Sequence, residues 1–127
     1  SVFKKQNKIV INIEVPVLFL YIDSAVPLGL IMNELLTNSF KYAFYDTIEG
    51  EISLKIHTVA EGKYELIYAD NGPGLPGDFD LANAATMGIQ LINDLSRQIG
   101  GHVKYEYKNG ASFIINFTNR NLRKKED

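Results

Sequence analysis

Two hairpin signals limit what this chain can fold into. Glu61-Gly62 and Asn109-Gly110 each sit between two runs of alternating apolar residues, and so short a connection joins antiparallel neighbours. The first pair of runs is Glu51 to Ala60 and Lys63 to Asp70; in the former, Ile52, Leu54 and Ile56 face one way and Ser53, Lys55 and His57 the other. The second pair is His102 to Lys108 and Ala111 to Thr118, with Phe113, Ile115 and Phe117 alternating inward. A doubly wound dinucleotide fold needs strand–helix alternation throughout, and this chain lacks it.

Each hairpin follows a helical segment. Pro27 to about Phe44 reads as a helix that opens on a proline, with Asp23-Ser24 as turn and cap. Leu28, Ile31, Met32, Leu35, Leu36 and Ala43 fall on its apolar face. Gly88 to Ile99 reads as a second helix, burying Ile89, Leu91, Ile92, Leu95 and Ile99 and stopped by Gly100-Gly101. The order strands, helix, hairpin, loop, helix, hairpin predicts an α+β fold. It is a two-layer α/β sandwich whose mixed, mostly antiparallel sheet carries its helices on one face.

The N-terminus could mislead. Lys4, Lys5 and Lys8 precede an apolar run, IVINIEVPVLFLYI, as in a signal peptide, but Asn12 and Glu14 interrupt it and no small-residue cleavage site follows. The run is also too short to span a bilayer. It reads as two strands, Ile9 to Val15 and Val17 to Ile22, parted by Pro16. The 127 residues suit one domain, and an opening strand with no element before it suits a domain cut from a longer protein. With 13 basic and 15 acidic side chains the balance argues against a nucleic-acid binder. Without cysteine there are no disulfides or thiolate metal sites.

Four clusters could carry chemistry. Glu34, Thr37, Asn38 and Lys41 form a polar stripe on the first helix, suited to a metal ion and phosphates and equally to a solvated face. Asp70-Asn71-Gly72-Pro73-Gly74 ends a strand with a carboxylate and then lets the backbone turn so that a flat ligand can approach. Taken alone it reads first as a plain turn, because Asp, Asn, Gly and Pro are all turn formers. Residues 71–86, with Gly72, Pro73, Gly74, Pro76, Gly77, Asp78, Asp80 and Asn83, form a long irregular segment of the kind that serves as a lid. Thr86-Met87-Gly88-Ile89 opens the second helix and exposes free N–H groups to an anion. Asn109-Gly110-Ala111-Ser112-Phe113 is by itself only a hairpin. Residues 119–127 form a charged tail expected to fray.

Taken in order, Glu34-x-x-x-Asn38-x-x-Lys41-Tyr42, Asp70-x-Gly72-x-Gly74, Gly88 opening a helix, and Gly110-x-x-Phe113 resemble the ATP-binding domain of the GHKL superfamily. That superfamily groups DNA gyrase, the heat-shock chaperone ATPases, the histidine kinases and the MutL mismatch-repair proteins. Within it, Asn33-Glu34-Leu35-Leu36-Thr37-Asn38-Ser39-Phe40-Lys41-Tyr42-Ala43-Phe44 looks most like a bacterial sensor histidine kinase of the subfamily with an Asn-Glu-Leu N-box and a short lid. The preceding Pro27-Leu28-Gly29-Leu30-Ile31 matches it too, and the resemblance runs from about Ile9 to Phe117.

The resemblance implies ATP and Mg2+ as cofactors. Asn38 would be the metal ligand, Lys41 would contact phosphate, and Tyr42 would lie near the nucleotide. Asp70 would accept the adenine N6 hydrogen bond in a pocket shaped by Gly72 and Gly74. The backbone from Met87 through Gly88 to Ile89 would close on the phosphates. Glu34 would orient or deprotonate an acceptor imidazole, which makes Glu34, Asn38 and Lys41 the expected catalytic set. The implied activity is a two-component protein-histidine kinase. Its γ-phosphoryl goes to a histidine on a separate dimerisation domain, giving a phosphoprotein, and a response regulator follows. The resemblance also implies a cytoplasmic domain without direct membrane contact, any anchor lying in the parent protein.

Two positions depart from the pattern. Thr86 replaces the first glycine of a Gly-x-Gly, leaving Gly88 alone, and Ala111 replaces a threonine whose hydroxyl supports the aspartate. Ser112, one residue on, would point to the opposite face. These departures favour an alternative, a nucleotide-binding docking or sensing module with little kinase activity. A serine kinase of the anti-sigma type shares the fold, and a slow ATPase with Glu34 as base ranks lower. The two histidines, His57 and His102, lie on expected strands among lysines and read as exposed strand residues, so the phosphoacceptor is expected on another domain.

Overall fold

The computed structural model describes residues 8–44, 49–74 and 87–121. Residues 75–86 of the expected lid, Thr86 among them, residues 45–48 of the expected turn, Lys4 and Lys5, and residues 122–127 of the tail lie outside the described residues.

Among the described residues five strands form one sheet: β1 (Lys8–Glu14), β2 (Glu49–Ala60), β3 (Lys63–Asp70), β4 (Val103–Tyr107) and β5 (Ala111–Thr118). Their spatial order is β1-β2-β3-β5-β4. Both expected hairpins form, β2–β3 and β4–β5, and β3 also pairs antiparallel with β5. Only β1 runs parallel to its neighbour, β2, from Lys8 opposite Glu49 to Glu14 opposite Lys55. The sheet is therefore mixed and mostly antiparallel, and with its two helices it is the expected α+β fold.

The helices are α1 (Ile22–Asn38) and α2 (Met87–Gln98). They cover the sheet face that bears Ile52, Ile56, Leu66, Tyr68, Phe113, Ile115 and Phe117, all buried. Leu28, Ile31 and Leu35 from α1, and Ile89, Ile92, Leu95 and Ile99 from the second helix and its end, close the core. Each such side chain contributes about 1.5–3 kcal/mol by leaving water.

Two expectations fail at the start of α1. Val17 to Ile22 is not a strand: residues 15–21 join no ladder, and α1 already begins at Ile22. The alternation in this run is real, since Leu18 and Leu20 pack on the core while Val17 and Phe19 are exposed, but no strand supplies the ladder. Asn119 holds the segment instead, its amide donating to the Phe19 carbonyl at 3.1 Å and accepting Tyr21 N–H at 2.9 Å.

Pro27, expected at the helix start, lies inside α1, and Asp23 and Ser24 belong to the first turn. A proline there lacks the N–H that would reach back to residue 23. Contacts from the end of β5 offset that loss. The fully buried Ser24 hydroxyl lies 3.3 Å from the carbonyl oxygens of both Thr118 and Arg120 and accepts Arg120 N–H at 2.6 Å. Tertiary anchoring thus moves the helix start five residues ahead of the local signal.

At its other end α1 does not simply continue to Phe44. Ser39–Ala43 is a π-helical turn, closed by Phe44 N–H donating to the Ser39 carbonyl at 3.1 Å. The extra residue in that turn lets Ser39 and Phe44, five positions apart, both point inward, where each is 2 % exposed. Single π turns of this kind often mark functional sites.

Candidate nucleotide site

The π turn carries the centre of the site. Ser39 stands four residues after Leu35, on the stripe Leu28–Ile31–Leu35, so its hydroxyl enters the protein rather than solvent. A buried hydroxyl needs partners. The Ser39 hydroxyl donates to Asp70 Oδ2 at 2.7 Å and lies 2.7 Å from the Tyr68 hydroxyl. Tyr68 and Asp70 are two residues apart on β3 and share its helix-facing side. The other carboxylate oxygen, Oδ1, accepts Gly72 N–H at 2.9 Å.

Burial pushes the Tyr68 hydroxyl up to about 12; the Ser39 hydrogen bond opposes this and the Asp70 charge adds to it. Tyr68 therefore stays protonated at any physiological pH. Neither Ser39 nor Tyr68 was singled out by sequence reasoning. The signal for Ser39 was there: a serine in register with a buried apolar stripe.

The turn after Asp70 is pinned by Asn71, whose side chain accepts Glu51 N–H at 2.9 Å and whose N–H donates to the Glu51 carbonyl at 3.2 Å. Gly72 lies against the π turn so closely that an added Cβ would collide with Ala43. A Cβ on Gly74 would stand 2.7 Å from the Tyr105 hydroxyl and from the Tyr107 ring. The two glycines are thus needed for close approach, the first to the helix and the second to β4.

The polar stripe of α1 meets α2 at Gly88. A Cβ there would stand 2.7 Å from Glu34 Oε2 and 3.8 Å from Asn38 Oδ1. The structure therefore brings Glu34, Asn38 and the first turn of α2 to one place. Lys41 is exposed on the π turn, which also contains Tyr42, and Met87 is the first residue of α2. The Ile89 side chain is 3 % exposed in the core, so only its backbone is available to a ligand.

Ala111 and Ser112 take the faces expected of them. Ala111 is buried, Ser112 is only half-buried, and exposure alternates through Thr118. Both histidines are exposed: His57 pairs with Glu65 across β2–β3 at 3.2 Å, and His102 lies 3.3 Å from the Asn116 amide. His57→Ala is therefore expected to leave nucleotide affinity within twofold of wild type by titration, and a tenfold loss would put His57 in the site.

The fit to a hard cation can be judged from the donors. Asn38 Oδ1 and the Glu34 carboxylate are the oxygen ligands such an ion prefers, and Gly88 leaves the space beside them that a side chain would fill. Among the described residues no group of three or more His, Cys, Asp or Glu gathers to hold a metal. Mg2+ commonly completes its shell with substrate phosphates and water, so one or two protein oxygens fit it.

Comparisons with known proteins bear on the family and the fold. The family model described as histidine kinase-, DNA gyrase B-, and HSP90-like ATPase matches residues 23–121. Blue-light-activated histidine kinase 2 of Erythrobacter litoralis (strain HTCC2594) is 25% identical over 111 residues, 87% of this chain and 32% of that protein. The chain thus spans about a third of the length of the curated relative it matches. Among solved structures, the histidine kinase domain of an Erythrobacter litoralis blue-light-activated histidine kinase superposes with a TM-score of 0.78 at 24% identity, over 90% of this chain and 53% of that one. The Acinetobacter baumannii histidine kinase AdeS gives 0.73 at 19% identity, over 90% and 56%. These two likenesses concern the fold. Among the described residues no helix is long and apolar enough to cross a membrane.

Proposed function

The chain belongs to the HATPase_c family of histidine kinase-, DNA gyrase B- and HSP90-like ATPases, and on that footing we propose that it binds ATP with Mg2+ and passes the γ-phosphoryl group to a histidine on a separate dimerisation domain. The observation that carries the reading is the convergence of Glu34, Asn38 and Gly88 at the N-terminus of α2, beside a strand-end Asp70 whose carboxylate is held by protein donors. Within that family the resemblance of Asn33-Glu34-Leu35 to an Asn-Glu-Leu N-box supports assignment to the sensor kinases that carry it.

In this reading Asp70 accepts the exocyclic N–H of adenine, and Gly72 and Gly74 shape the pocket by letting the turn after Asp70 pack against Ala43 and against Tyr105 and Tyr107. The N–H groups at the start of α2 and the Lys41 ammonium hold the phosphates. Asn38 Oδ1 would hold Mg2+, which when bound with the nucleotide neutralises phosphate charge. Phosphoryl transfer needs little beyond such positioning and charge compensation. The bond from the γ-phosphorus to the bridging oxygen breaks and ADP leaves with the electron pair. A bond from phosphorus to an imidazole nitrogen forms, and Glu34 is placed to orient that imidazole or take its proton. The acceptor domain and a response regulator are the partners that follow, in a cytoplasmic setting.

The test is a titration of this domain with a fluorescent ATP analogue, with and without Mg2+, beside Asn38→Ala. Binding that Mg2+ strengthens in wild type but not in Asn38→Ala is the expected result. Adding the acceptor domain should then yield acid-labile, base-stable phosphoprotein. Wild-type protein that binds no nucleotide under either condition would overturn the reading.

A further inference from the structure

We propose that Ser39 and Tyr68 are positioning residues for nucleobase recognition, a one-way hydroxyl relay that holds the Asp70 carboxylate ready to accept the exocyclic amine of a 6-aminopurine. The proposal rests on the reading of Asp70 as the base acceptor.

The direction of the relay follows from counting hydrogens. A serine hydroxyl has one, and Ser39 gives it to Asp70 Oδ2 at 2.7 Å. The 2.7 Å contact between Ser39 and Tyr68 must then be a donation from tyrosine to serine. Tyr68 is 2 % exposed, so its hydroxyl has no easy alternative in solvent. With Gly72 N–H on Oδ1, both carboxylate oxygens are occupied from the protein side, and the group cannot rotate without breaking two hydrogen bonds. Each oxygen keeps lone-pair capacity for a ligand donor.

The support comes from the helix layer because the sheet does not supply it. The β3–β5 register pairs Ala69 with Ser112. One further step along it sets Ala111 opposite Asp70 on the same face. Ala111 is buried and has no hydroxyl. The π turn brings Ser39 to the same carboxylate from the other side.

An amine at C6 of the purine donates to Asp70, whereas a carbonyl there sets acceptor against acceptor. The readout is therefore the ratio of ATP to ITP affinity, which differs from general damage to the fold. Wild type, Ser39→Ala, Tyr68→Phe, Ser39→Ala with Ala111→Thr, and Asp70→Asn are titrated calorimetrically with both nucleotides and Mg2+. Ser39→Ala should bind ATP roughly tenfold more weakly, as for loss of one charge-assisted hydrogen bond, while ITP affinity stays within twofold. Tyr68→Phe, which removes one oxygen and keeps the ring, should lower the ratio about threefold and carries the test should Ser39→Ala fail to fold. Ala111→Thr should restore most of the ratio lost in Ser39→Ala.

Wild-type ratios in Ser39→Ala and Tyr68→Phe, with ATP affinity lost in Asp70→Asn, would overturn the relay and leave Asp70 as the base acceptor. Equal loss for both nucleotides would reduce the pair to a structural role, which also overturns it. Unchanged ATP affinity in Asp70→Asn would remove the base-acceptor reading and the relay with it.

Discussion

Asp70→Asn is expected to weaken ATP binding by roughly 100-fold, the equivalent of about 3 kcal/mol for a lost hydrogen bond to a charged group. The argument is one of donors and acceptors. Asp70 receives Ser39 Oγ–H on one oxygen and Gly72 N–H on the other. An asparagine has only one acceptor oxygen, so its NH2 must face one of those donors. Facing Gly72, it sets donor against donor. Facing Ser39, it forces the serine to accept, and the serine hydrogen then opposes the Tyr68 hydroxyl. The charge that attracts the base amine is gone in either case. Titration with a fluorescent ATP analogue reads the loss, and a circular dichroism spectrum matching wild type shows that the fold is intact. An affinity within twofold of wild type would contradict the role given to Asp70.

A large loss of stability is expected from Gly110→Ala, about 3 kcal/mol of destabilisation. Gly110 has φ 147°, a conformation that side-chain-bearing residues seldom adopt. Its missing Cβ would collide with the Asp70 carbonyl oxygen and lie 2.9 Å from Asn71 Cα. Both are backbone atoms in the turn that presents the carboxylate, so relief requires the turn to move and affinity falls with stability. Gly29→Ala is the opposite case. Gly29 sits inside α1 with nothing within 4 Å of an added Cβ, so alanine should stabilise by about 0.5–1 kcal/mol through helix propensity. The midpoint of urea unfolding reads both, and opposite shifts from one chemical change are the expected result.

Much of the architecture was legible from local patterns. Asn109-Gly110 and Glu61-Gly62 announced hairpins that both form, the latter with a register shift between Thr58 and Ala60, and the apolar spacing of α2 placed it to within a residue at each end. The start of α1 was not legible because its determinants lie some 96 residues away: Ser24 is satisfied by Thr118 and Arg120. The false strand before it shows the limit of period-two patterns, which report exposure but not whether a neighbouring strand exists. At the site, the spacing of Glu34 and Asn38 foretold a shared face, and Gly88 does meet it. The part of Ser39 was hidden by the π turn, since an ordinary helix would not bury both Ser39 and Phe44. Tyr68 was hidden because an alternating strand residue with a large ring reads as core until its hydroxyl is given a partner.

The strand order has a consequence for synthesis. The last made of the described strands, β5, is not at an edge of their order: it lies between β3 and β4. Its final residues also lead into the clamp that holds the first turn of α1. A nascent chain emerging N-terminus first therefore carries β3 with one flank open from the moment Asp70 appears until Thr118 does. At about 5–20 residues per second that interval is roughly 2–10 s. Throughout it Leu66 and Ile67 sit on an unpaired flank, the kind of edge that invites pairing with a neighbouring chain. Assembly of this domain is thus tied to completion of its sequence, and the interval before it is when crowding by sister chains is most damaging.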